Sequence, residues 1–380
     1  MIRPEQVVIF CGGLGTRLRP LTDTLPKPMV PVNGKPFLEH LIKQLADQGC
    51  KRFLILTGYL GKIIHSYFGD GSYWGWRIVY SHGPTEWETG RRLWEARKHL
   101  DTQFLLLYAD NFVQFKLSKL MDLNLQEQVP LTLLLAPKRN GNIRVSSTGR
   151  VDAYVKTRIG QDLNHVEIGY MIVERGPVLS ILSGLPGNRD FSFSEVLQSL
   201  VASQKLAGLV IDDPYHSISD PKRHKLMCDY LRVKKILLID RDGIINEKAD
   251  QGEYISNWSQ FRWLPDTLEG LRELAKDGFK FIVITNQAGI ARKKVEPKAL
   301  EEIHQKMTKK LAEEGIHVLK IYVSPHHWDE NSFMRKPAPG MFFQAAKDFN
   351  LRMDRTLYVG DDKRDCIAAS NAGCGMVYLS

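Results

Sequence analysis

The stretch Gln6–Met29, QVVIFCGGLGTRLRPLTDTLPKPM, decides the first half of the fold. QVVIF reads as a short buried strand, and three glycines, Gly12, Gly13 and Gly15, follow it within four residues. Glycines at a strand end let the backbone approach a ligand and turn N–H groups toward phosphate oxygens. A tight strand-to-helix turn uses the same residues, so the glycines alone leave both readings open. The charges that follow are more telling. Arg17 and Lys27 lie on a segment stiffened by Pro20, Pro26 and Pro28, and fixed cations at developing oxyanions are what phosphoryl or nucleotidyl transfer requires. The spacing matches neither the G-x-G-x-x-G of dinucleotide folds nor the Gly-Lys-Ser/Thr of a P-loop.

Outward from this stretch, apolar strands (RFLILTGY, FLLLYAD, LTLLLAP, GYMIV) alternate with helical segments such as FLEHLIKQLADQG as far as Leu231. That alternation predicts an α/β fold with a largely parallel sheet. It restarts at Lys234, where KKILLI runs into DRDGIIN. A chain of 380 residues exceeds one ordinary domain, and the restart places two: residues 1–230 and 231–380.

Composition narrows the class. With 43% hydrophobic and 25% charged residues the chain reads as soluble and globular. It has no apolar run of about 18 residues and no basic-then-apolar leader, so no membrane partner is expected and the cytoplasm is the default location. The five cysteines are scattered without metal-type spacing, as reduced structural thiols are. The formal charge of +9 is dispersed among acids without a basic-aromatic module, which points to anionic small molecules and away from nucleic acid. Trp74, Trp76, Trp87 and Trp94 are expected in core or interface positions, not as sugar platforms.

The second domain states its chemistry more openly. Asp240 and Asp242 lie two residues apart at a strand end, where paired carboxylates can bind Mg²⁺ while one attacks phosphorus and the other handles the proton. Thr285 and Asn286 in VITNQAGI offer a hydroxyl and an amide to phosphate oxygens. Lys336 in RKPAPG offers a neutralising charge, with Arg335 beside it as a substrate contact, and Asp361 in YVGDDKRD completes a Mg²⁺ shell, with Asp365 four residues on.

Residues 234–380 thus resemble the haloacid dehalogenase superfamily of phosphatases, and DRDGIIN, TNQAGIAR and RKPAPGM look like the branch containing histidinol-phosphate and D,D-heptose 1,7-bisphosphate phosphatases. The resemblance implies a phosphoaspartyl mechanism: Asp240 as nucleophile, Asp242 as general acid then base, Thr285 and Lys336 on the phosphoryl group. Mg²⁺ would sit on Asp240, the Asp242 main chain and Asp361. Members of the branch commonly carry a zinc loop, Cys-Pro-His then Cys-x-Cys. Here the matching residues are Ser324, Pro325 and His326, then Ser332, Phe333 and Met334. One imidazole cannot form a closed tetrahedral zinc set, so no zinc is expected and His326 and His327 read as loop residues.

The opening stretch, taken with PVNGKPFLEHLIKQL, resembles the sugar-1-phosphate nucleotidyltransferase family over roughly residues 5–228. The two resemblances together imply a mixed-sheet α/β sandwich of nucleotidyltransferase type followed by a Rossmann-like haloacid dehalogenase-type α/β domain. Gly12, Gly13, Gly15 and Thr16 would line the nucleotide, Arg17 would contact its phosphates and Lys27 the attacked α-phosphate. LLLYADNF nominates Asp110 for a second Mg²⁺ site, GRVDAYVKT nominates Lys156 for the sugar phosphate, and EIGYMIV nominates Gly169 for the sugar.

Two departures stand out. Ser217 in SISDP replaces the family's second metal-binding aspartate, and a hydroxyl is a poor replacement for a hard, charged ligand. Glu88, Arg91 and Arg92 in WETGRRL replace small residues near the expected base and sugar, where their bulk would retune specificity or obstruct the ligand. The two resemblances imply consecutive steps, 7-dephosphorylation of a heptose bisphosphate and nucleotidylation of the 1-phosphate. The expected partners are a sugar phosphate and a nucleoside triphosphate, with a homo-oligomer left open. Two other readings share the motifs: a transferase for another sugar, and a phosphatase joined to a non-catalytic nucleotide sensor.

Overall fold

The strand β1 (Gln6–Cys11) is buried at every residue, as its apolar run predicts, and the first sheet assembles on both its edges. The structure, a computed structural model, describes residues 4–146, 148–160, 162–185, 190–212, 214–250 and 252–379. It divides into two units, Met1–Asp229 and Tyr230–Ser380.

In the first unit β1 is flanked by parallel neighbours: β2 (Arg52–Thr57) and then β3 (Arg77–His82) on one side, β4 (Gln103–Tyr108) on the other. The sheet continues through β5 (Leu131–Pro137), the short β6 (Ile143–Val145) and β7 (Val151–Tyr154), β8 (His165–Glu174) and β9 (Leu206–Val210), nine strands among the described residues. β8 runs antiparallel to both β4 and β5, so the sheet is mixed. Hydrophobic alternation cannot show direction, and GYMIV reads equally well either way. The pairing of β8 with β5 slips between Glu167 and Met171. Gly169 sits in that slip at φ 78°, and a Cβ there would come within 2.7 Å of the Tyr108 ring. Only glycine satisfies both the backbone and the neighbour.

A two-stranded ribbon pairs Asn111–Val113 with Tyr215–Ser217, setting Ser217 opposite Asn111. The core under one face of the sheet joins Val8, Phe10, Leu106, Leu133 and Met171 to Phe193, Val196 and Leu197 of the helix Phe193–Ala202. That helix starts at a capping box made by Ser192 and Glu195, which satisfies two N–H groups its first turn leaves open.

The second unit has five parallel strands: β10 (Ile236–Ile239), β11 (Lys280–Asn286), β12 (Val318–Ser324), β13 (Leu357–Gly360) and β14 (Gly375–Tyr378), in the order β12-β11-β10-β13-β14. Leu237 and Ile239 pack on one face with Leu271, Ile303 and Met307, while Leu238 packs on the other with Phe342, Ala345 and Ala368. Burial on both faces explains why ILLI is apolar throughout. The chain leaves β10 toward β11 and later returns on its other edge as β13, so a crevice opens at the carboxyl ends of these three strands. Among the described residues no helix is long and apolar enough to cross a membrane.

Candidate active sites

The crevice of the second unit collects the sequence-nominated residues into a cavity of about 580 Å³ lined by Asp240, Asp242, Thr285, Asn286, Arg335, Lys336 and Asp361. Asp240 follows β10, and its N–H donates to Val359 O of β13. Its Oδ2 lies 2.8 Å from Lys336 Nζ, which also reaches Asp365 Oδ1 at 2.8 Å and Tyr358 OH at 2.7 Å. Burial raises the Asp240 carboxyl above its ordinary range, against the Lys336 charge. Asp240, Asp361 and Asp365 bring carboxylate oxygens within 4.8 Å of one another, the sole such group of three among the described residues. Asp361 Oδ1 is buried without a hydrogen-bond partner, while its Oδ2 pairs with Lys248 at 2.7 Å. An orphaned buried carboxylate oxygen beside two more carboxylates fits a hard divalent cation.

Asp242 is held differently. Both its oxygens accept from Arg241 Nη2, at 2.8 and 2.9 Å, and Asn246 and Gln287 donate to it at 2.9 and 2.8 Å. Burial would raise its carboxyl, but Arg241 and these donors outweigh that and keep it below the usual carboxylate range. Its side chain is therefore not in the carboxylate trio; the metal role expected of Asp242 concerned its main chain. Arg241 is fully buried and also donates to His304 Nε2 at 3.1 Å. An imidazole accepting there must be neutral, and burial with the Arg241 charge lowers its pKa to about 4. Arg241, Gln287 and His304 are supports the sequence reading passed over; the middle residue of Asp-Arg-Asp was the available signal.

Thr285 Oγ1 accepts from Gln287 at the cavity wall. Asn286 lines the cavity too, but its amide bridges the main chain of Lys336, donating to Lys336 O and accepting from Lys336 N. Arg335 is buried and donates to His326 O at 3.1 Å. In the zinc-loop positions Ser324 Oγ lies 3.2 Å from His326 Nδ1, and Ser332 Oγ accepts from Met334 N. Two hydroxyls, a thioether and one imidazole do not fit Zn²⁺. Trp328 stands in this loop instead, with Arg292 stacked 5.5 Å from its ring centroid and 5.7 Å from that of Tyr254.

In the first unit, Gly12, Gly13, Gly15, Thr16, Arg17 and Lys27 line a cavity of about 440 Å³ at the end of β1. Lys27 Nζ pairs with Asp110 Oδ2 at 2.9 Å, joining the loop to the end of β4. Arg92, whose bulk was expected to retune specificity or obstruct the ligand, lines this cavity. It is buried and turned onto main-chain carbonyls, donating to Thr57 O at 2.9 Å, Pro84 O at 2.6 Å, Thr85 O at 3.2 Å and Gly12 O at 3.4 Å. A Cβ on Gly12 would fall 2.3 Å from its guanidinium carbon. Gly12 is thus needed for Arg92 to reach the loop, and Arg92 ties that loop to β2. Arg91 pairs with Glu95 at 2.6 Å, whereas Glu88 and Trp87 line the cavity. Trp87, expected in a core or interface position, is half-buried and lines the cavity, whereas Trp74 and Trp76 stack on each other at 5.3 Å, away from that lining.

A second cavity of about 440 Å³ shares Arg17, Tyr108, Asp110 and Ser219 with the first and adds Lys138, Arg158, Glu167, Ser217 and Arg223. Ile218 N donates to Asp110 O, which holds Ser217 beside Asp110. Lys156 lies on the exposed turn after β7 and is not among the lining residues, nor is Gly169, whose neighbour Glu167 is. Burial and the Asp110 charge push the Glu167 carboxyl up to about 8. Lys138, Arg158 and Arg223 escaped sequence reading because they come from three distant segments with no motif.

Comparison with known proteins agrees with this division. The family described as nucleotidyl transferase matches residues 6–156, and that described as polynucleotide kinase 3 phosphatase matches residues 235–371. The chain is 29% identical over 217 residues to D-glycero-alpha-D-manno-heptose 1-phosphate guanylyltransferase of Campylobacter jejuni, covering 57% of this chain and 96% of that protein. It is 34% identical over 140 residues to D-glycero-beta-D-manno-heptose-1,7-bisphosphate 7-phosphatase of Bordetella bronchiseptica, covering 37% of this chain and 77% of that protein. The crystal structure of HddC from Yersinia pseudotuberculosis shares the fold of the first unit, with a TM-score of 0.51 at 22% identity over 60% of this chain and 99% of that one.

Proposed function

The chain belongs in its C-terminal part to the D-glycero-D-manno-heptose 1,7-bisphosphate 7-phosphatase family and carries a nucleotidyl transferase domain before it, and on that premise we propose a bifunctional enzyme of GDP-heptose synthesis. It removes the 7-phosphate from a heptose 1,7-bisphosphate and transfers GMP from GTP to the resulting 1-phosphate. One observation carries this reading: the relative matched by the first half is named for D-glycero-alpha-D-manno-heptose 1-phosphate, and a relative matched by the second half, the D-glycero-alpha-D-manno-heptose-1,7-bisphosphate 7-phosphatase of Photorhabdus laumondii, is named for the bisphosphate that yields it, whereas the Bordetella bronchiseptica relative is named for the beta anomer.

In the phosphatase half, an Asp240 oxygen attacks the 7-phosphorus, a phosphoaspartate forms and the ester P–O bond breaks. Asp242, ionised in the free site, takes up a proton as the substrate phosphate brings its negative charge alongside, hands it to the departing sugar oxygen, and then takes one from the water that hydrolyses the phosphoaspartate. Arg241, Asn246 and Gln287 aim it for both steps. Lys336 and Thr285 hold the phosphoryl oxygens. Asp240, Asp361 and Asp365 would hold Mg²⁺, with the Asp242 main chain as a further ligand; the ion supplies charge neutralisation for the phosphoryl oxygens. The loop from Ser324 to Met334 works without zinc.

In the transferase half, a sugar 1-phosphate oxygen attacks the α-phosphorus of GTP, the new P–O bond forms and pyrophosphate leaves, with no covalent enzyme intermediate. Gly12, Gly13, Gly15 and Thr16 line the triphosphate, Arg17 contacts it, and Lys27 meets the charge that develops on the α-phosphate. The purified chain, given D-glycero-D-manno-heptose 1,7-bisphosphate, GTP and Mg²⁺, is expected to release phosphate and pyrophosphate and to form GDP-heptose. Phosphate release with no pyrophosphate from any pairing of nucleoside triphosphate and sugar 1-phosphate would sink the bifunctional reading.

A further inference from the structure

The corner where the resemblance puts a second metal-binding aspartate holds Ser217, and the group that reaches Ser217 is a guanidinium. Arg223 Nη1 donates to Ser217 Oγ at 3.3 Å and to Ser219 Oγ at 3.1 Å; both serines are buried. Asp220 caps the first turn of the following helix by accepting from Arg223 N at 2.9 Å, and lies 3.5 Å from Arg223 Nε, so the side chain is steered from both ends. Two carboxylates line this cavity, Asp110, which is paired with Lys27, and Glu167. Among the described residues no three metal-ligating side chains gather here. With Lys27 on Asp110 and Arg223 on the two serines, the residues present do not fit a cation shared between Asp110 and position 217.

They fit an anion. Lys138 and Arg158 line the same cavity as Arg223, and among the described residues no carboxylate is ion-paired with either. The three charges repel one another: burial, and then Arg158 and Arg223, lower the Lys138 pKa. Among the described residues Lys138 and Arg158 lack a carboxylate partner and Arg223 has only Asp220 at 3.5 Å, so this excess of cations is stabilised when a phosphate enters, and a guanidinium binds two of its oxygens at once.

We propose that Arg223 stands in for the missing metal site, and that with Lys138 and Arg158 it holds the phosphate of the acceptor sugar in the nucleotidyl-transfer half. The proposal rests on the transferase reading above and adds which residues grip the second substrate. It also reverses the reading of Ser217: the position is not an impaired metal site but the seat of a fixed cation.

Kinetics of the full chain carrying Asp240→Asn, with GTP and D-glycero-α-D-manno-heptose 1-phosphate, test it. Arg223→Ala and Arg158→Ala should each raise KM for the sugar phosphate by about 10- to 100-fold while leaving KM for GTP within about twofold, the size expected for a lost charge-assisted hydrogen bond. Ser217→Asp should act in the same direction, because the new carboxylate neutralises Arg223. A gain in transfer with Ser217→Asp, or an Arg223→Ala effect on GTP alone, overturns the proposal. Mapping of phenylglyoxal modification supplies a readout that needs no turnover. Protection of Arg158 and Arg223 by the heptose 1-phosphate, and not by GTP, supports the subsite; absence of protection removes it. If the chain transfers no nucleotide at all, the transferase reading fails and the protection result still decides the subsite.

Discussion

At the end of β10 three carboxylates, Asp240, Asp361 and Asp365, gather around Lys336, whereas the cavity beside Asp110 collects Arg17, Lys138, Arg158 and Arg223. The first site is built where parallel strands end and the second where parallel and antiparallel strands meet, and both are proposed to handle phosphate. The first has surplus negative charge and an orphaned carboxylate oxygen, which suits a cation that then carries the phosphate. The second has surplus positive charge, which suits the phosphate directly. Phosphate can be neutralised by a borrowed ion or by fixed side chains, and the arrangement of unpaired charge tells the two apart.

The sharpest break between the sites is Asp240→Asn, which removes the proposed nucleophile. Phosphate release should fall by at least about a thousandfold while pyrophosphate release stays within about twofold; loss of both activities would mean that the sites are not independent. Lys27→Ala should do the converse, lowering pyrophosphate release by roughly 10²- to 10³-fold, the range for one lost transition-state donor, with phosphate release unchanged. Arg92→Met separates architecture from chemistry. The carbonyls of Thr57, Pro84 and Thr85 lose a charged donor, so denaturant unfolding of the first unit should lose about 2–3 kcal/mol, with the phosphatase unaffected. The smallest effect is expected at His304. Its folded pKa of about 4 lies below the 6.5 of an ordinary histidine, so the unfolded chain takes up the proton first as pH falls. The stability it contributes is complete above about pH 6.5 and is lost progressively toward pH 4, about 1 kcal/mol between pH 7 and 5.5. Thermal melts of His304→Gln should show a shallower acid decline over that window than the parent chain; an equal decline would place the loss elsewhere.

Much of the candidate phosphatase site was legible because its parts sit in short stretches, at strand ends for Asp240 and Asp242, Thr285 and Asp361 and in the RKPAPG loop for Lys336. The alternation of apolar strands and amphipathic helices also showed two α/β units, since burial on both faces of a parallel sheet leaves uninterrupted apolar runs. The reading was weakest where a side chain's direction mattered. Arg92, expected to add bulk near the ligand, lines the cavity and also clamps four carbonyls; Asn286, expected at phosphate, lines its cavity and also bridges the Lys336 main chain; Lys156, nominated for the sugar phosphate, lies on an exposed turn.

The main apolar strands, the glycine loop, the order of the acidic, hydroxyl and basic residues, and the departures from the resembled families at Ser217 and in the loop from Ser324 to Met334 were all legible in the chain. These are local properties, set by residue type and spacing. The antiparallel run of β8, the grip of Arg241 and Gln287 on Asp242, and the gathering of Lys138, Arg158 and Arg223 around one cavity came from the fold. Those depend on contacts between segments far apart in the chain, and no local pattern encodes which distant charges will share a cavity.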